Sequence, residues 1–329
     1  MVSARNQASD VTRTFKHRDD VDVDAVEHLF KGTTVAASAT MSNSGELAYA
    51  VKLAVGLVVV PVAATVGVIY SGDTTSQSPA QPAPLDLLAK NLAAIPDGPA
   101  GASIHRGYEI VSRTFETLPG NVGNGLHCTS CHLDGGTLAG AGPWIGLPAV
   151  FPEFRARSGN RDPLSRRIND CFERSMNGTA LAPDGADMAA VLDYINFISR
   201  DAPGGKPPPG RGFKRIEPPL VPDREAGALK YTTHCASCHG GDGAGLLADG
   251  KYAFPPVWGE RSFNIGAGMA RLDTAAAFIR ANMPRGAGGT LSDQDAYDTA
   301  DFIIYQPRPD FADKVHDWPK GGKPRDARY

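Results

Sequence analysis

Strand-like alternation of polar and apolar residues is missing from both halves of this 329-residue sequence, which argues against a sheet-based fold. Basic character is missing too. The formal net charge is -3, and no stripe of lysine and arginine interleaved with aromatics occurs, so nothing in the chain is suited to attract DNA or RNA. The glycines Gly240, Gly241, Gly243 and Gly245 open no helix after a strand and lack the Lys-Ser/Thr of a phosphate loop; they read as a tight turn. Cysteine is scarce, with five in the whole chain, and four of the five fall into two copies of one pattern.

Those copies are Cys128, Cys131 and His132 in HCTSCH, and Cys235, Cys238 and His239 in HCASCH. The spacing lets two thiols add to the vinyl groups of a haem while the adjacent histidine turns its imidazole onto the iron. A zinc site would need a matching second pair nearby, and a redox dithiol would need a βαβ context that is absent. The motifs therefore imply two covalently bound haem c groups, attached at Cys128, Cys131, Cys235 and Cys238, with His132 and His239 as proximal ligands. They lie 107 residues apart, and Asp193-Tyr194-Ile195 is echoed by Asp301-Phe302-Ile303 at 108, which points to an internal duplication.

From Leu53 to Tyr70 the chain carries no charge, and with its flanks this run is long enough to cross a bilayer. Arg5, Arg13, Lys16, Arg18, Lys31 and Lys52 precede it and few cations follow closely, so the bulk of the chain is expected outside the cytoplasm. A cleaved signal peptide is the competing reading, and it delivers a soluble protein to the same compartment. The expected fold is all-α: two tandem class I cytochrome c-like domains after one N-terminal transmembrane helix. Residues 1–48 read as a polar cytoplasmic segment, 49–71 as the anchor and 72–99 as a flexible linker. Residues 100–203 read as domain 1, 204–221 as a Pro/Gly linker running over both domains, 222–308 as domain 2 and 309–329 as a mostly irregular tail. Helices are expected at about 104–115 and 185–200 in domain 1, and at 223–233 and 292–305 in domain 2.

The opposite face of each iron decides the chemistry. Met283 in ANMPRG, 44 residues after His239, is the expected distal ligand of haem 2; a thioether favours the ferrous state and suits an electron carrier. Met176 lies at the same spacing from His132, but Cys171 competes with it, because four thiols are used by haem and the fifth has no disulfide partner. Spacing leaves both open. A helix through PLSRRINDCFERSMNG would put Arg167, Cys171 and Ser175 at i, i+4 and i+8, with Arg174 beside them. Arg155, Arg157, Arg161 and Arg166 crowd the same stretch. A thiol on such a face reads as part of a pocket for a small oxyanion, since guanidinium forks match paired oxygens.

At HCTSCH, RRINDCFERSMNG, HCASCHG and ANMPRG the chain resembles the diheme cytochrome c thiosulfate dehydrogenases, which join two thiosulfates into tetrathionate. The resemblance implies ligation of haem 1 by His132 and the Cys171 thiolate, and of haem 2 by His239 and Met283. It further implies a substrate site built from Arg157, Arg167 and Ser175 beside Cys171, with electrons leaving through haem 2 to a soluble cytochrome c or a terminal oxidase. Where some members carry a lysine next to the methionine ligand, this chain has Asn282. A membrane-anchored electron carrier without its own substrate is the alternative; it would use Met176 as ligand and the arginines as a docking surface.

Overall fold

The computed structural model describes residues 84–202 and 210–329. The expected cytoplasmic segment and membrane anchor lie outside the described residues, and among the described residues no helix is long and apolar enough to cross a membrane. Two mostly helical domains make up one compact unit. Each is closed by crossing its first long helix with its last.

In domain 1 the pair is α2 (Pro99–Ser112) with α4 (Ala186–Ile198), and in domain 2 it is α5 (Arg224–His234) with α7 (Asp293–Ile304). Helix α2 begins earlier than the pattern suggested, because Pro99 is pre-organised for a first helical position, and it breaks at Arg113. Asp223 and Ser292 cap α5 and α7 through side-chain oxygens that accept backbone N–H groups. Both crossings rely on a glycine. A Cβ on Gly107 would sit 2.0 Å from the Ala190 carbonyl oxygen, and one on Gly227 would sit 2.0 Å from that of Asp298. Ala190 and Asp298 are 108 residues apart, at the duplication offset, whereas the glycines that meet them are 120 apart, so the same kind of contact recurs with a longer stretch between the copies. Gly227→Ala should force the helices apart and destabilise the protein by roughly 1–3 kcal/mol or more, read as a lower thermal midpoint.

Four expectations need correction. Part of the supposed flexible linker, Pro84–Ala93, is a helix, α1, whose buried Asn91 accepts a hydrogen bond from Arg200 at 3.0 Å; Leu88 packs beside Gly135. A leucine spacing that matches the helical repeat outweighs the polar stretch before it. Two antiparallel hairpins also exist, β1–β2 (Glu153–Arg155 with Asn160–Asp162) and β3–β4 (Leu246–Ala248 with Lys251–Phe254). Strands of three or four residues are too short to show a period of two. The linker does more than cross the surface. Gly210 and Gly212 accept backbone hydrogen bonds from Gly140 and Gly142, and Phe213 packs edge-on against Phe278 at 5.8 Å.

The fourth correction concerns the Cys171 region. Helix α3 (Leu164–Asp170) does not continue as α-helix but widens into a π-turn over Cys171–Ser175, closed by Met176 N–H donating to the Cys171 carbonyl at 2.8 Å. Such a turn leaves carbonyls without their usual partners. Here they are taken from elsewhere: Asn264 donates from its side chain to Glu173 O (3.0 Å) and from its backbone to Arg174 O (3.2 Å), and the buried Asn124 donates to Ser175 O (2.8 Å). Asn264 belongs to domain 2. The turn that carries Cys171 is thus held in shape by the other half of the molecule.

Candidate haem and anion site

The Cys-x-x-Cys-His motif of domain 1 opens onto a cleft of about 220 Å³. Its walls are mostly apolar, with Leu126, Trp144, Ile168 and Phe172 among them, and its polar groups are few: Cys128, Cys131, His132, Arg167, Cys171 and Ser175 are the principal ones. The His132 Nδ1 lies 2.6 Å from the Gly142 carbonyl oxygen. A carbonyl can only accept, so Nδ1 carries the proton and Nε2 is left as the free lone pair. A flat apolar cleft, two adjacent thiols and a fixed imidazole fit covalently attached haem c.

Cys171 and Met176 both line this cleft, but in different settings. Met176 is 2% exposed and packs within the hydrophobic core. Cys171 receives a hydrogen bond from Arg167 Nη1 at 2.8 Å. Burial alone pushes the Cys171 thiol up, yet the Arg167 charge and the Arg167 hydrogen bond act against it, and the thiol is lowered below its ordinary value. In the same cleft, burial pushes the Cys128 and Cys131 thiols up to about 12. Of the three thiols around this cavity, only Cys171 is lowered toward the thiolate. Arg167 is correspondingly held above its ordinary value, first by the Cys171 charge and against its own burial.

Arg167 and Ser175 also line a second cleft of about 320 Å³, together with Arg155, Arg157, Arg174 and Arg271. Arg155 ends β1, Arg157 sits in the turn of that hairpin, Arg174 is in the π-turn, and Arg271 immediately precedes α6 (Leu272–Asn282) of domain 2. The residues 311–329 form the remaining wall, irregular apart from a 3-10 turn at Ala312–His316. They are strapped across the cleft. Asp317 makes a two-pronged ion pair with Arg174 at 2.8 and 3.0 Å and lies 3.4 Å from Arg157, while Trp318 donates its N–H to the Arg157 carbonyl. The Trp318 ring lies under the Arg157 guanidinium at 5.1 Å.

In domain 2 the same histidine arrangement returns: His239 Nδ1 lies 2.9 Å from the Pro255 carbonyl oxygen. Cys235 and Met283 both pack against the domain 2 core formed by Tyr231, Trp258 and Leu291, a donor set that fits haem c with a thioether opposite histidine. Cys238 is partly buried beside them. Met283 also touches a small cluster containing Leu133, Phe213 and Phe278, so it sits where the domains meet. The neighbouring Asn282 is buried and donates to the Phe278 carbonyl at 3.0 Å and to the Gly140 carbonyl of domain 1 at 3.4 Å.

Residues 113–203 match the SoxA/TsdA cytochrome c domain, and residues 222–303 match cytochrome c oxidase, cbb3-type, subunit III. A thiosulfate dehydrogenase from Psychrobacter arcticus is 46% identical over 235 residues, covering 71% of this chain and 72% of that protein. The chain belongs to the thiosulfate dehydrogenase family. Another relative of that name, from Allochromatium vinosum, is 45% identical over 72% of this chain and 90% of its own length. Among solved structures, the thiosulfate dehydrogenase TsdBA of Marichromatium purpuratum in its as-isolated form superposes with a TM-score of 0.61 at 40% identity. That alignment covers 64% of this chain and 47% of the other, less than half its length.

For this thiosulfate dehydrogenase family member, the structure brings Arg157, Arg167, Ser175 and Cys171 to two adjoining clefts. It also adds residues that sequence reasoning did not assign. Arg211, ion-paired to Glu153 at 2.6 Å, and Phe213 come from the linker and line the haem 1 cleft. Arg271 and Trp318 come from domain 2 and the strap. The one available signal was the sequence GRGF inside an otherwise Pro/Gly linker; Arg271 and Trp318 had none, because the domain 1 residues they join in the cleft lie far away in the chain.

Proposed function

We propose that the chain oxidises thiosulfate to tetrathionate, joining two thiosulfates by one sulfur–sulfur bond and releasing two electrons. The observation that supports this most is the Cys171 sulfur, lowered by Arg167 and set in the haem 1 cleft beside a cleft lined by five arginines. Haem c at each motif, two in all, would supply one-electron acceptors, with His132 and Cys171 holding the first and His239 and Met283 the second.

The chain's own residues account for binding. Thiosulfate is a small dianion, and the arginine-lined cleft attracts it without offering bulk apolar surface to larger anions. Arg167 is shared between the two clefts, so it can hold the Cys171 sulfur and orient a sulfonate next to it. The Ser175 hydroxyl, at the junction of the same clefts, supplies a neutral donor. Met283, packed where domain 2 meets domain 1, favours the reduced state on the side from which electrons leave to a soluble cytochrome c or terminal oxidase. In this reading the enzyme works on the periplasmic side of the cytoplasmic membrane, held there by residues 49–71 or released after cleavage. Cleft geometry does not favour one direction, and tetrathionate reduction would use the same residues.

Purified protein should reduce ferricyanide with thiosulfate, with one tetrathionate formed per two electrons. Its oxidised electron paramagnetic resonance spectrum should contain a thiolate-ligated low-spin haem. Two histidine/methionine haems and no thiosulfate-dependent reduction would establish the carrier reading instead.

A further inference from the structure

The second cleft contains five guanidinium groups, and three of them are already engaged. Arg167 donates to Cys171, and Arg157 and Arg174 share Asp317. Arg155 and Arg271 differ. Among the described residues neither forms an ion pair, although each is partly buried, and the nearby Glu153 is committed to Arg211. Arg271 donates only to the Thr274 hydroxyl, at 3.2 Å, and its Nε is buried with no hydrogen-bond partner. Burial lowers both guanidinium groups, Arg155 to about 10 with Arg167 adding to the effect. Asp170 and Glu153 act on Arg155, and Asp326 and Asp273 on Arg271, through space without an ion-pair contact, so the burial of each guanidinium is only partly offset and an anionic ligand in the cleft they share is favourable.

Resting on the proposed thiosulfate chemistry, we infer that Arg155 and Arg271 form a second anion subsite, which holds the sulfonate of the second thiosulfate. The chemistry needs such a place. Two S2O3 dianions become one S4O6 dianion plus two electrons; one bond forms between the sulfane sulfurs, none breaks, and no proton or water takes part. The product carries its sulfonates at opposite ends, so the new bond forms in the middle and each sulfonate must be held on its own side. Arg167 and Ser175 serve the side next to Cys171. Arg155 and Arg271, on the β1 strand and at the start of α6, serve the other, and they offset the repulsion between two dianions brought together. Arg271 belongs to domain 2, so the subsite is assembled from both domains.

The test uses the full chain with both haems attached and reads two quantities. One is KM for thiosulfate in ferricyanide reduction; the other is the thiosulfate concentration that half-saturates the change in the haem 1 spectrum without acceptor, which reports the site beside Cys171. Arg271→Gln and Arg155→Gln should each raise KM roughly tenfold or more, the loss of a charge-assisted hydrogen bond, with kcat changed far less and spectral half-saturation unmoved. Arg271→Lys should recover most of the lost affinity, which a packing defect would not allow. If both glutamine variants keep KM within about twofold of the parent, or if KM and spectral half-saturation rise together, the second subsite is overturned. Parent protein that turns over no thiosulfate would overturn the functional reading itself, and with it this one.

Discussion

Cys171→Gly should lower thiosulfate turnover by at least about a hundredfold while leaving both haems attached. Outer residues that merely orient a metal ligand cost about 10–100-fold when removed, and Cys171 is the sulfur set in the cleft itself. The substitution acts on two groups at once. It removes the sulfur that Arg167 lowers, and it leaves Arg167, whose hydrogen-bond partner at 2.8 Å it was, buried without that charge. Met176 lines the same cleft and is the thioether available to replace the lost ligand. The thiolate signal should therefore disappear from the paramagnetic resonance spectrum, and the haem 1 potential should rise, on the order of 0.1 V, as sulfur ligation changes from anionic to neutral. Unchanged turnover, with the thiolate signal intact, would remove Cys171 from the site.

Asp317→Ala should be among the most destabilising single changes in the chain. The Asp317 and Arg174 side chains are 4% and 8% exposed, and Arg157 shares the same carboxylate. Deleting one partner of a buried ion pair leaves an uncompensated charge and costs about 3–5 kcal/mol. For a domain pair of this size that corresponds to a fall in thermal midpoint of roughly 10 °C, measured by calorimetry or circular dichroism. Asp317→Asn keeps the shape and an acceptor oxygen, so it should lose less. The two variants separate the charge from the hydrogen bonds. A midpoint unchanged in Asp317→Ala would mean that the strap contributes little to stability.

Much of the helical frame was legible in the sequence because it depends on local signals. The 3.6-residue pattern together with capping residues Asp223 and Ser292 places α5 and α7 within a residue or two of the structure, and the repeated motif announces two similar domains. Local signals fail where the chain departs from regular geometry for non-local reasons. The stretch from Leu164 to Ser175 has ordinary helical composition; its π-turn exists because Asn264 and Asn124, 51 to 91 residues away, take the carbonyls that the wider turn frees. The arginines were visible as a crowd, but their division into engaged and unengaged groups depends on Asp317 and Glu153. Composition cannot say which carboxylate each guanidinium will meet.

The contact of Asn264 with the Cys171 turn has a consequence for how the two halves of the duplication can diverge. A second domain that only relayed electrons could drift freely, provided its haem stayed bound. Here the stretch from Ser262 to Arg271 supplies supports for the Cys171 turn, an acceptor for Arg157 at Gly266 and a guanidinium for the anion cleft. A change anywhere in that stretch of domain 2 is therefore also felt at the Cys171 turn, and neither half can be exchanged for that of a distant cousin without carrying its neighbour's loop along.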